Sequence, residues 1–250
     1  MQIYLTLTRR ELGAYFLSMA GYVIIAGAAF LMGLSFVVLL VKLQAVPTSM
    51  PVTELFYITP FFWLILLLGT PAITMRLFAL ERFSGTFETL MTAPVSDLQV
   101  VLSKFTAALI FYVIMWLPLI ACLQVVRYFT SDGAGFDAGV VGSTFLGIVL
   151  LGGMLLAVGC CASAATRHQV IAAMLSLGFG VSLFLLGVLA GEVVPRASWE
   201  SQVLPFFALF DQMHDFARGI VDTRPIIFLV SLTLFFLFLN LRIIESRRWK

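Results

Sequence analysis

Charge is scarce in this sequence. Only 11% of its 250 residues are Asp, Glu, Lys or Arg, split into 15 basic and 13 acidic for a net charge of +2. A soluble globular domain has about a quarter of its residues charged, so this composition excludes one. The small net charge gives no footing for nucleic acid. Histidine is scarcer still, with two residues, His168 and His214. The three cysteines, Cys122, Cys160 and Cys161, fall in apolar runs without metal-knuckle or CxxC spacing. HExxH, GxSxG and the GxxxxGK[ST] phosphate loop are all missing. The chain has no cysteine metal knuckle, no recognisable catalytic pairing and no phosphate loop for using ATP by itself.

What it has is 61% hydrophobic residues, gathered into runs long enough to cross a hydrocarbon core of about 30 Å, which takes about 20 helical residues. Six spans are expected, at about 15–41, 56–75, 104–126, 139–165, 169–190 and 225–244. The first apolar stretch is uncharged from Leu12 to Val41. That is longer than the apolar region of a cleaved signal peptide, about 7–15 residues, so we read it as a retained span. Spans four and five are separated only by Thr166-Arg167-His168-Gln169 and must turn tightly. The expected fold is an all-α integral membrane domain occupying the whole chain, 1–250, with six transmembrane helices.

Six spans put both termini on one side. With that side inside, Arg9, Arg10, Arg76, Arg82, Lys104, Arg167, Arg242, Arg247, Arg248 and Lys250 are cytoplasmic, ten of the 15 basic residues. This satisfies the positive-inside rule.

Three pieces outside the spans carry pattern. In Met1–Leu12, apolar Tyr4, Leu5 and Leu12 alternate with Arg9, Arg10 and Glu11, as in an amphipathic helix on the inner leaflet or in an ordinary basic terminus. In 76–104, Leu80, Phe83, Phe87 and Leu90/Met91 form a helical stripe, with Glu81, Arg82 and Glu88 away from it. Pro94 stops that helix, and Ser96 with Gln99 has the spacing of a capping box for the next one. This reads as a membrane-parallel helix turning into a long transmembrane helix. The third piece, Glu192–Arg224, is apolar and aromatic, with Trp199, Phe206, Phe207, Phe210 and Phe216, as in two short helices dipping into the outer leaflet without crossing it. Gly219 is placed to end the second of them. Asp211, His214, Asp215 and Arg218 share one face, which suits either a metal or substrate site or the solvated face of an interfacial helix. Span four carries Gly153, Ala157, Cys161 and Ala165, a ladder of small residues for close helix packing.

With no energy coupling of its own and a helix shaped for docking, such a protein must borrow its energy. The residues agree. Glu81-Arg82-x-x-Gly85-Thr86-x-Glu88-Thr89-Leu90, then Ala93-Pro94-Val95-Ser96 and Lys104-Phe105, resemble the signature of ABC-2 type transporter permeases. Arg10-Glu11-Leu12 with Tyr15-Phe16 is similar to the start of that family. Leu241-x-x-x-Glu245-Ser246-Arg247-Arg248-Trp249 and Phe216-x-Arg218-Gly219-Ile220-Val221-Asp222 look like its gliding-motility-associated branch.

The resemblance implies the six-helix type V ABC exporter fold in the bacterial inner membrane, paired with a second permease copy above two ABC ATPase subunits that bind the ATP and Mg. The permease chain itself is non-catalytic. The segment about 78–92 would be the coupling helix, with Glu81, Arg82, Gly85, Thr86 and Glu88 toward the ATPase and Phe83, Phe87 and Leu90 packing upward. An interface helix at about 3–14 would carry Arg9, Arg10 and Glu11, and re-entrant helices would lie at about 199–222. In the gliding-motility branch a substrate-binding-like membrane subunit is a further expected partner. The alternative function is a mechanotransmitter that passes force to a periplasmic partner without moving a substrate.

Overall fold

The computed structural model describes residues 2–45, 51–86, 95–129, 137–192 and 208–248. Their elements are α1 (Gln2–Phe16), α2 (Met19–Ala45), α3 (Val52–Ile58), α4 (Pro60–Thr74), α5 (Ala79–Ser84), α6 (Asp97–Phe129), α7 (Ala138–Ala165), α8 (Gln169–Glu192), α9 (Leu209–Ala217) and α10 (Thr223–Arg248). Among the described residues, six stretches are long and apolar enough to cross a membrane: Met19–Lys42, Pro60–Ser84, Asp97–Tyr128, Ala138–Ala165, Gln169–Leu189 and Thr223–Ser246.

Two expected spans are corrected at their starts. The first does not run from residue 15, because α1 ends at Phe16 and Ser18 opens a new helix, its Oγ accepting from the Gly21 amide. The second does not run from residue 56. Thr59 is extended (φ −68°, ψ 141°), and Pro60 opens α4, because proline disfavours the helical conformation in the residue before it and suits a helix's first turn. Residues 52–58 thus form α3, a separate short helix.

Other local signals produce the expected structure. Ser96 and Gln99 exchange bonds at 3.3 and 3.4 Å and start the 33-residue α6. The α7–α8 connection is the tight turn 166–168. Gly219 ends α9 with φ 89°, its amide bonded to Phe216 O and the Ile220 amide to Asp215 O. These two bonds are the Schellman closure, which needs a left-handed residue that glycine supplies without strain.

Helix α7 is the most enclosed of the six spans. It packs on α10, α8, α9, α4 and α6, and glycines let three neighbours approach its backbone. A side chain at Gly152 would collide with Tyr112 of α6, one at Gly159 with Thr74 of α4, and one at Gly147 with Phe216 of α9. The ladder read from the sequence falls on neighbouring positions of the same helix. Ala157 is buried, and Cys161 Sγ donates to Phe236 O of α10. A Cβ at Gly153 would meet only Leu109. Phe36, Phe56, Phe62, Tyr112 and Trp116 fill the centre of the bundle, with ring centroids 5.4–6.5 Å apart.

The bundle has two polar ends. One gathers α1, the Met75–Ser84 corner, the start of α6 and the α7–α8 turn. The other gathers α3, α9 and the start of α7.

Candidate functional site

The first end is built around a buried lysine. Lys104 lies two turns into α6, its side chain 2% exposed, and its Nζ donates to Glu81 Oε1 of α5 at 2.8 Å and to Glu11 Oε1 of α1 at 3.0 Å. The ammonium also lies 5.4 Å from the Phe78 ring centroid. Burying a cation is tolerable only when it is paired and hydrogen-bonded, and here two carboxylates from two other helices do that. Arg10 joins at longer range, 3.3 Å from Glu81 and 3.6 Å from Glu11. Tyr4 Oη donates to Thr106 Oγ1 at 2.7 Å, and Tyr15 stacks on Phe111 and donates to Ile73 O. Helix α1 is therefore seated along α6 by Tyr4, Glu11 and Tyr15, one helical face, with Thr8 the buried residue between them. Leu5, expected on that apolar face, is exposed, as is Arg9.

The α4–α5 corner is held by Ser163 of α7. Its fully buried Oγ accepts from the amides of Phe78 and Ala79, both at 3.1 Å, and donates to Met75 O at 3.3 Å. A helix start leaves amides without partners. Phe78 at the N-cap of α5 has no side-chain oxygen to satisfy them, so a hydroxyl from another helix does. All three bonding positions of Ser163 are used.

Beyond Ser163 the corner points outward. Phe83 is 70% exposed, with its ring 6.3 Å from that of His168 in the α7–α8 turn, and Leu80 is partly exposed. The helix closes at Gly85, φ 75°, a conformation that cannot continue a right-handed helix. The Leu80–Phe83 stripe is therefore not one unbroken helix through Gly85, and Phe83 is left exposed within this chain. Ser84 and Thr86 bond across this turn at 2.9 Å. Phe87, Glu88 and Leu90 lie outside the described residues, as do Trp199, Phe206 and Phe207.

At the other end Glu54 of α3, side chain 3% exposed, is held by α9. Its Oε1 accepts from Arg218 Nε at 2.9 Å and lies 2.9 Å from His214 Nε2. Burial opposes ionisation of this carboxyl, but the Arg218 and His214 hydrogen bonds and charges outweigh it and hold Glu54 below the usual carboxylate range. Thr53 Oγ1 donates to Ala217 O, and Ser143 Oγ to Phe216 O. Phe210 packs on Tyr57 and Trp63, and Phe216 is buried against α7. His214 and Arg218 thus latch α9 to α3, and among the described residues no group of three or more His, Cys, Asp or Glu is placed to hold a metal.

The model of the ABC-2 family transporter protein family matches residues 48–242. The chain belongs to that family. It is the membrane domain of an ABC-2 transporter permease, a multi-pass subunit without catalytic activity, and the family implies an ATPase partner. Comparison with curated proteins returns no match. The matched stretch of this ABC-2 permease holds Glu81, Lys104, Ser163 and the Glu54 latch, while Glu11 and Arg10 on α1 precede it.

Sequence reasoning singled out Glu81 and Glu11 separately and missed that one lysine joins them. It missed Ser163 and Glu54 altogether. The available signal for Lys104 was a cation heading an otherwise apolar run. For Ser163 there was none.

Proposed function

We propose that the corner Met75–Thr86 is where a separate ABC ATPase subunit, carrying the ATP and Mg, docks and delivers its stroke to this permease. The observation that carries this reading is the way α5 is anchored. Ser163 ties its start to α7, Lys104 ties its Glu81 to α6 and α1, and Phe83 is left unburied at its tip. An element firmly joined to three helices yet apolar on its free side suits a force-receiving contact. In this reading two permease copies pair above two ATPases, the α1 end and both termini face the cytoplasm of a bacterial inner membrane, and a substrate is exported. The positive-charge bias supports that orientation. A place in the gliding-motility branch, with an accessory substrate-binding-like membrane subunit, rests on the residue resemblance at 216–222 and 241–249 alone.

The test is co-purification from native membranes. A stoichiometric subunit with a phosphate-loop sequence is expected to accompany the chain. Phe83→Ala and Glu88→Lys should weaken that association or uncouple ATP hydrolysis, with the permease still folded. Recovery of intact permease with no ATPase would sink the reading. A reconstituted complex that hydrolyses ATP while no candidate lipid or glycan crosses the bilayer would favour the force-transmitting alternative.

A further inference from the structure

Beside the Lys104 node lies a cavity of about 290 Å³ between α1, the α4–α5 corner and α6. Its charged lining is Arg10, Glu11, Arg76, Glu81 and Lys104. Three cations face two carboxylates, one positive charge in excess, and the excess can be located. Lys104 takes both carboxylates at 3.0 Å or less, and Arg10 reaches them only at 3.3 and 3.6 Å with its side chain 59% exposed. Arg76, half-buried at the corner, has no carboxylate within ion-pair distance among the described residues. A half-buried guanidinium at the mouth of a membrane-spanning segment calls for an anion.

The surroundings say which anion. Ser18 lines the cavity, and its chain neighbours Leu17 and Met19 are 91% and 89% exposed. Leu77 and Leu80 form part of the wall. Two large apolar side chains held out beside a cationic pocket suit a ligand with an anionic head and an apolar body. The volume sits just under the range of about 300–1,000 Å³ typical of drug-sized ligands, enough for a headgroup whose chains stay outside. Guanidinium groups recognise phosphate oxygens by paired hydrogen bonds, and basic pockets between transmembrane helices take anionic headgroups. We propose that this cavity binds the phosphate headgroup of an anionic membrane lipid, with Arg76 and Arg10 as its cationic walls. The proposal goes beyond the docking of an ATPase and does not depend on it.

Native mass spectrometry of the full chain in detergent, incubated with phosphatidylglycerol or with phosphatidylcholine of the same chains, tests it. The unmodified protein should retain the anionic lipid at least about fivefold better. Arg76→Gln should abolish that preference, Arg76→Lys should keep part of it, and Arg10→Gln should reduce it. Arg242→Gln, whose side chain pairs with Glu245 outside the cavity, should leave it unchanged. Size-exclusion profiles monitor folding, and if Arg76→Gln does not fold, the exposed Arg10→Gln carries the test. An undiminished preference in the folded variants overturns the proposal. So does complete displacement of the lipid by soluble glycerol phosphate, which assigns the cavity to a free phosphate. Unchanged lipid retention by Arg76→Gln, with that variant losing the ATPase subunit in the co-purification from native membranes, assigns the cavity to a protein contact and also overturns it.

Discussion

The hydroxyl of Ser163 lies 3.1 Å from the amide nitrogen of Phe78, a residue 85 positions earlier in the chain. This contact, with its companion at Ala79, makes the start of α5 a structural extension of α7, and a change at Ser163 should be felt at the corner. Ser163→Ala leaves two buried amides and one carbonyl without their partner. The expected loss is about 1–3 kcal/mol, with faster hydrogen exchange at Phe78 and Ala79 while amides in the middle of α7 stay protected. Exchange at those two residues no faster than in the unmodified protein would count against the clamp.

Lys104→Met should be costlier than removing either carboxylate, because Glu11 and Glu81 are then left half-buried with their shared cation gone. Breaking a buried ion pair from one side costs about 3–5 kcal/mol. A double-mutant cycle of Lys104→Met with Glu81→Gln, read by thermal unfolding in detergent, should give a favourable coupling. Neutralising both carboxylates, Glu11→Gln and Glu81→Gln, together with Lys104→Met should recover part of the loss. Simple additivity would show that the three groups do not act as one node.

Gly152→Ala should destabilise by about 1–3 kcal/mol, since the new methyl group meets the Tyr112 ring. Tyr112→Leu removes the atoms in the way. The double variant should therefore lose less than the sum of the two single ones, as expected for residues in contact.

The Glu54 latch makes a prediction for acid. Its folded carboxyl is held below its ordinary value, about 4.3 in an unfolded chain, so between the two values the unfolded state binds more protons. The stabilisation is complete above about pH 5 and is lost as pH falls through the folded value. Thermal unfolding followed from about pH 7 down to pH 3 should show this acid limb. Glu54→Gln should lower stability at neutral pH and flatten the limb, and an unaltered limb in that variant would assign it to other carboxyls.

What could be read in advance was local. The Ser96–Gln99 box, the turn at 166–168 and Gly219 all act within a few residues, where side-chain type and spacing are sufficient. Pro60 carried the same sort of signal for the α3–α4 break, but the apolar run continues through it and hid the break. Gly85 sat in plain view inside the stripe, and only its left-handed φ reveals that it ends α5. The polar pairs that organise the two ends were not legible, because partners come from far along the chain. Lys104 and Glu11 are 93 residues apart, and His214 and Glu54 are 160 apart. Nothing local distinguishes Ser163 from the other small residues around it.

Three side chains from three different helices occupy the places where α7 has only hydrogen: Tyr112, Thr74 and Phe216 over Gly152, Gly159 and Gly147. They act like teeth set into a shaft from several directions. Helix α7 cannot rotate about its own axis without driving its neighbouring side chains into at least one of them. A displacement arriving through Ser163 is therefore restricted to tilting or sliding along the axis, which carries the Phe216 end of the molecule with it.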